Sequence, residues 1–111
     1  MPTAKRNNLN KFKAKVFKAL SDPVRLEIIE FLRGGEKCVC EIIPHVNIIQ
    51  PLVSRHLKIL KDCGLVKDRK DGVRRLYSIT DPRVFETVDT ITPEMVANLS
   101  KRVIEQIVVA E

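Results

Sequence analysis

The chain has 111 residues, enough for one domain around a single core. Its hydrophobic fraction of 44% suits a globular protein, and no apolar run is long enough for a membrane span. The net charge of +6 is uneven: residues 1–20 carry +6, 21–49 carry −2, 50–75 carry +5 and 76–111 carry −3.

Leu9, Phe12, Val16, Phe17 and Leu20 recur at spacings of three and four, which predicts an amphipathic helix over 8–20. Ser21-Asp22-Pro23 is a stop and restart: Ser21 or Asp22 can cap, and Pro23 suits a first turn. Leu26, Ile29, Phe31 and Leu32 form the apolar face of a second helix that Gly34-Gly35 ends. Val39, Ile42, Ile43 and Val46 make a short third helix, with Pro44 expected near its start and Asn47 at the turn. A fourth helix starts near Gln50-Pro51, buries Leu52 or Val53 with Leu57 and Leu60, and closes at Cys63-Gly64. Two helices joined by a few residues, the second basic on its outer face, are a helix-turn-helix signature.

Val66–Arg69 and Val73–Ile79 flank Lys70-Asp71-Gly72, a hairpin signal that places a wing directly after the recognition helix. Val84, Phe85, Val88 and Ile91 follow Asp81-Pro82 on another helical stretch. Thr92-Pro93-Glu94 opens a last helix, 93–109, carrying Met95, Val96, Leu99, Val103, Ile107 and Val108. The expected fold is therefore mainly α with a small β-hairpin, a single winged helix-turn-helix domain over 1–111. Residues 21–80 form its DNA-binding core, and the helices at 8–20 and 81–109 serve dimerisation. The first and last helices are not needed for a helix-turn-helix, so their stripes must cover each other or a second copy.

Positive charge gathered on two segments is the footprint of a polyanion binder, although a solvated basic face has the same composition. Gln50, Ser54, Arg55 and His56 are the candidate base- or phosphate-facing set on the recognition helix. Lys58, Lys61, Arg69, Lys70, Arg74 and Arg75 are candidate contacts to the DNA backbone. Double-stranded DNA and a second copy of the chain are the expected partners, with no membrane. The basic N-terminus lacks an apolar signal segment, and three cysteines with one Cys-x-Cys make no disulfide framework, so a cytoplasmic location is expected. Nothing in the chain forms a glycine-rich phosphate loop or a general-base constellation, which argues against an enzyme.

Phe17-Lys18-Ala19-Leu20-Ser21-Asp22-Pro23-Val24-Arg25-Leu26, Cys38-Val39-Cys40-Glu41-Ile42, Val53-Ser54-Arg55-His56-Leu57-Lys58-Ile59-Leu60 and Gly64-Leu65-Val66 together resemble the ArsR/SmtB family of metal-responsive winged-helix repressors. The resemblance implies a homodimeric repressor that leaves its operator when a metal or metalloid binds. It also implies that Cys38 and Cys40 supply thiolates at the head of the third helix. The chain departs from the arsenic-type pattern at Ile43, where a third cysteine is usual. It has no cysteine in residues 1–37 and neither Asp nor His in 92–111, and Ile49 stands where a Ser or Thr usually caps the recognition helix.

Thiolates suit arsenite, Cd, Pb, Cu(I) or Zn. Positions i and i+2 do not share a face of a regular helix, so one ion can take both sulfurs only if the backbone there is extended. Two thiolates do not close a tetrahedral site, and the third ligand must come from Cys63, His45, solvent or another subunit. No cofactor is expected for folding; the inducer is a thiophilic ion. Three alternatives stay open at this level. Cys38 and Cys40 are small buried hydrophobes, or they form a redox or persulfide switch, or the chain is a winged-helix protein-interaction module that senses nothing.

Overall fold

Asp22 decides where the first helix ends and the second begins. In a computed structural model describing residues 3–110, its backbone is extended and its carboxylate accepts from the N–H groups of Val24 at 2.8 Å and Arg25 at 3.3 Å. Residues 1, 2 and 111 of the expected 1–111 domain lie outside the described residues. The helix α1 (Thr3–Leu20) starts five residues before the predicted 8–20 and ends at Leu20 as expected. Asp22 then caps α2 (Pro23–Leu32), while the Ser21 hydroxyl donates instead to the carbonyl of Lys18 at 2.7 Å.

A two-residue strand, β1 (Lys37–Cys38), follows and was not predicted. It leads without a break into α3 (Val39–Val46), where Pro44 sits near the end and not near the start. Asn47 terminates α3 in the left-handed region at φ 56°, which asparagine tolerates better than most residues. The recognition helix α4 (Gln50–Asp62) buries Val53, Leu57 and Leu60. Leu52 is exposed, which resolves the Leu52-or-Val53 alternative.

The wing is β2 (Val66–Asp71) and β3 (Arg74–Ile79), antiparallel, with Asp71 opposite Arg74. The turn is therefore Gly72-Val73, one residue later than predicted. Gly72 has φ 63°, the conformation a two-residue hairpin turn needs and a side chain disfavours. The sheet has three strands in the order β1-β3-β2, not the two of a simple hairpin. Two more helices, α5 (Arg83–Asp89) and α6 (Pro93–Ala110), complete the chain.

The core joins α2, α3, α4 and the base of the wing. Ile28, Ile29, Ile42, Val53, Leu57 and Leu60 are its fully buried side chains, each contributing about 1.5–3 kcal/mol by leaving water. Ile28, which was not placed on the expected apolar face of the second helix, is fully buried, whereas Leu26, which was, is exposed. The terminal helices differ. Leu9, Phe12 and Phe17 of α1 are exposed, as are Met95, Val96, Leu99, Val103, Ile104, Ile107 and Val108 of α6. These two stripes do not bury each other within one chain.

Candidate nucleic-acid interface and thiol pair

The outer face of α4 carries Gln50, Ser54, Arg55, Lys58 and Lys61, all exposed. Among the described residues, the side chains of Gln50, Ser54 and Arg55 have no hydrogen-bond or ion-pair partner within the chain, nor does Lys70 in the wing. The remaining predicted cations are paired. Lys58 meets Asp62 at 3.1 Å, Arg74 meets Asp71 at 3.1 Å and Arg69 meets Glu36 at 2.7 Å. Lys61 of α4 and Arg75 of β3 converge on Asp68 of β2, at 2.9 and 2.7 Å.

Asp68 is the anchor of this group: its side chain is only 8% exposed. It lies two residues after buried Val66, so strand alternation turns both inward. The hydrogen bond from Lys61, and then that from Arg75, hold its carboxyl below the usual carboxylate range against a desolvation effect in the other direction. The wing is thereby fastened to the recognition helix by a half-hidden ion triad. An acid on the inward alternation of a strand is the signal that could have identified it.

His56 is half-buried and turns inward. Its Nδ1 lies 3.0 Å from Nη1 of Arg25, and since Arg only donates, Nδ1 accepts. The same guanidinium donates from Nε to the carbonyl of Ala19 and from Nη2 to that of Lys18 at 3.4 Å. Arg25 thus ties the last turn of α1 to the middle of α4. The predicted DNA-facing set is therefore split: Gln50, Ser54 and Arg55 stand on the outer surface, and His56 is engaged inside.

Cys38 solves the geometric problem of the Cys-x-Cys spacing. It is the N-cap of α3, with extended backbone at φ −71° and ψ 148°, while Cys40 lies in the first helical turn. The two sulfurs come together as a disulfide, with the Cα atoms 5.1 Å apart. The sulfur of Cys38 also accepts the N–H of Cys40 at 3.0 Å, and Oε1 of Glu41 accepts the N–H of Cys38 at 3.0 Å. This is a capping box with sulfur where a hydroxyl is usual. Cys38 is 3% exposed and Cys40 is exposed, so a ligand would reach the pair from the Cys40 side.

Cys63 is not brought to the pair. It ends α4, its thiol donates to the carbonyl of Leu60 at 3.3 Å, and it lines a groove with Lys15, Lys18 and Arg25. His45 stacks on Phe31 with ring centroids 3.9 Å apart, and the ammonium of Lys37 covers the same ring at 5.1 Å. Among the described residues, no three His, Cys, Asp or Glu side chains gather as a metal-ligand set.

The comparisons with known proteins agree with this architecture. The family described as bacterial regulatory protein, arsR family, matches residues 22–68. An uncharacterised HTH-type transcriptional regulator of Methanocaldococcus jannaschii is 46% identical over 79 residues, covering 70% of this chain and 89% of that protein. The chain belongs to the arsR family. A probable mercury resistance operon repressor of Streptomyces lividans is 47% identical over 75 residues, 68% of this chain. The match spans 60% of that repressor's length. A solution structure from Mycobacterium bovis superimposes with a TM-score of 0.78 at 30% identity, covering 87% of this chain and 93% of that one. It is described as a homodimeric winged helix-turn-helix DNA-binding domain of a possible ArsR-family regulator. The relatives are transcriptional regulators and not enzymes. No helix among the described residues is long and apolar enough to cross a membrane.

Proposed function

We propose that this arsR-family protein is a homodimeric, sequence-specific DNA-binding repressor, released from its operator when a thiophilic metal or metalloid ion binds Cys38 and Cys40. The observation that carries the sensing role is the extended N-cap at Cys38, which lets two residues at spacing i, i+2 offer both sulfurs to one ion. Arsenite, Cd(II), Pb(II) and Hg(II) all fit two soft ligands, and the similarity to a mercury resistance operon repressor adds weight to the last. The third ligand is solvent or a group from the second subunit, since Cys63 lies elsewhere on the chain. The exposed stripes of α1 and α6 form the dimer contact, and the resulting two-fold symmetry suits a palindromic operator with half-sites about 34–36 Å apart. Gln50, Ser54 and Arg55 read the DNA; Lys58, Lys61, Arg69, Lys70, Arg74 and Arg75 hold its backbone.

The test uses reduced protein on operator DNA, titrated separately with arsenite, Cd(II), Pb(II), Hg(II) and Zn(II). A releasing ion lowers DNA affinity about 5–150-fold, the usual range of coupling between sites. Changing Cys38→Ser together with Cys40→Ser leaves DNA binding intact and abolishes release. A double variant that still responds to the same ion removes both cysteines from the sensor.

The disulfide between Cys38 and Cys40 favours one second reading, a thiol redox switch on the same repressor. In that case diamide, a thiol oxidant, releases the DNA with no metal present, and dithiothreitol restores binding.

A further inference from the structure

The three-stranded sheet places Cys38, one half of the thiol pair, beside the wing strand β3. Leu76 of β3 has Cys38 as its register partner on one side and Arg69 on the other. Cys38, Leu76 and Arg69 therefore form one row across β1, β3 and β2. The next row is Lys37, Tyr77 and Asp68. Glu36, the residue just before β1, reaches over the same sheet. Its Oε2 accepts from Nε of Arg69 at 2.8 Å and its Oε1 from Nη2 at 2.7 Å, a two-pronged clasp. Arg69 in turn holds the Glu36 carboxyl below the usual carboxylate range.

This clasp has a consequence for DNA binding. Arg69 is a wing cation facing solvent, and a DNA phosphate offers it the same fork geometry that Glu36 does. One carboxylate and one phosphate compete for one guanidinium. Glu36 immediately precedes β1, and β1 ends at the residue whose sulfur caps α3.

We infer that Glu36 is a positioning residue that couples the thiol pair to the wing: it holds Arg69 away from DNA when the pair is engaged, and yields Arg69 to a phosphate when the pair is free. The inference rests on the proposed sensing role of Cys38 and Cys40. In the structure the two sulfurs are joined to each other and the clasp is closed. Coupling then runs through the sheet. Glu36 touches neither the ion nor the DNA.

The experiment compares Glu36→Gln and Asp71→Asn with the wild-type dimer on operator DNA, with and without saturating Cd(II). Both variants free a wing arginine, so both bind DNA about 2–5-fold more tightly without metal, the worth of one exposed ion pair. Their salt dependence without metal stays close to that of the wild type, because Arg69 and Arg74 meet phosphate in all three. Only Glu36→Gln loses coupling: its Cd(II)-induced drop in affinity shrinks at least about threefold, while Asp71→Asn keeps the wild-type drop. The thiolate-to-cadmium charge-transfer absorbance titrates alike in all three, which shows that the metal site is intact. A Glu36→Gln protein that keeps the full drop, beside a responsive wild type, overturns the coupling alone. A wild type that binds Cd(II) without release overturns the sensing role and the coupling together.

Discussion

On α4, Arg55 stands on the outer face with no partner among the described residues; in the wing, Arg69, Arg74 and Arg75 are each held by a carboxylate. The two regions carry comparable positive charge and use it differently. A helix face brings together only residues three and four apart, and in α4 that spacing gives Lys58 an acid and Arg55 none. A hairpin brings opposite strands within reach of each other, so Asp68 and Asp71 of β2 meet Arg75 and Arg74 of β3. In the proposed interface, the recognition helix would meet DNA with Gln50, Ser54 and Arg55 uncommitted, whereas the wing would exchange carboxylates for phosphates as it docks.

Three measurements bear on that contrast. Arg55→Ala gives the largest effect: affinity for the operator falls about 5–150-fold and discrimination against altered half-sites weakens, as for loss of a bidentate base contact. Equal losses on operator and random DNA in a binding titration would remove Arg55 from base reading.

Asp68→Asn comes next and acts on stability. It weakens two charge-assisted bonds between wing and recognition helix and costs about 1–3 kcal/mol in denaturant unfolding. Its pH dependence has a definite sign. Because the folded carboxyl lies below its ordinary value, Asp68 stabilises the protein above the unfolded value of about 4 and loses that contribution as pH falls through the folded value. Wild-type melting temperature thus drops more steeply than that of Asp68→Asn as the solution is acidified below pH ~4. Parallel curves would show that the triad adds nothing.

Arg74→Ala has the smallest effect. Asp71 already neutralises this arginine in the free protein, so its loss weakens binding only about 2–5-fold, on all sequences alike. A sequence-dependent loss in the same titration would make the wing a reader of bases.

Much of the fold could be read directly. The stop at Ser21-Asp22-Pro23, the Asn47 turn, the start at Gln50-Pro51 and the wing signal all rest on local backbone chemistry, and each element formed where that chemistry placed it within a few residues. The turn slipped by one residue because the glycine occupies the first turn position, where positive φ is needed, and not the second. Ile28 replaced Leu26 in the core because helix periodicity leaves the exact facing angle open until neighbouring elements dock. The candidate thiols and the basic surface were also legible, since residue type and charge density are sequence properties.

Three features were not legible, and all are long-range. The strand β1 is two residues long and exists only because β3 offers it an edge. The Arg25–His56 bond joins positions 31 residues apart and turns inward a histidine that the motif alone places toward DNA. The Glu36–Arg69 clasp spans 33 residues. The sequence by itself determined which segments are helical, where the positive charge lies and that two closely spaced thiols sit beside the helix-turn-helix, because propensity, periodicity and composition act over a few residues. Only the tertiary structure decided which cations stay free and that Cys38 shares a sheet with the wing, because hydrogen bonds and ion pairs depend on which distant groups the packed core brings within about 3 Å of one another.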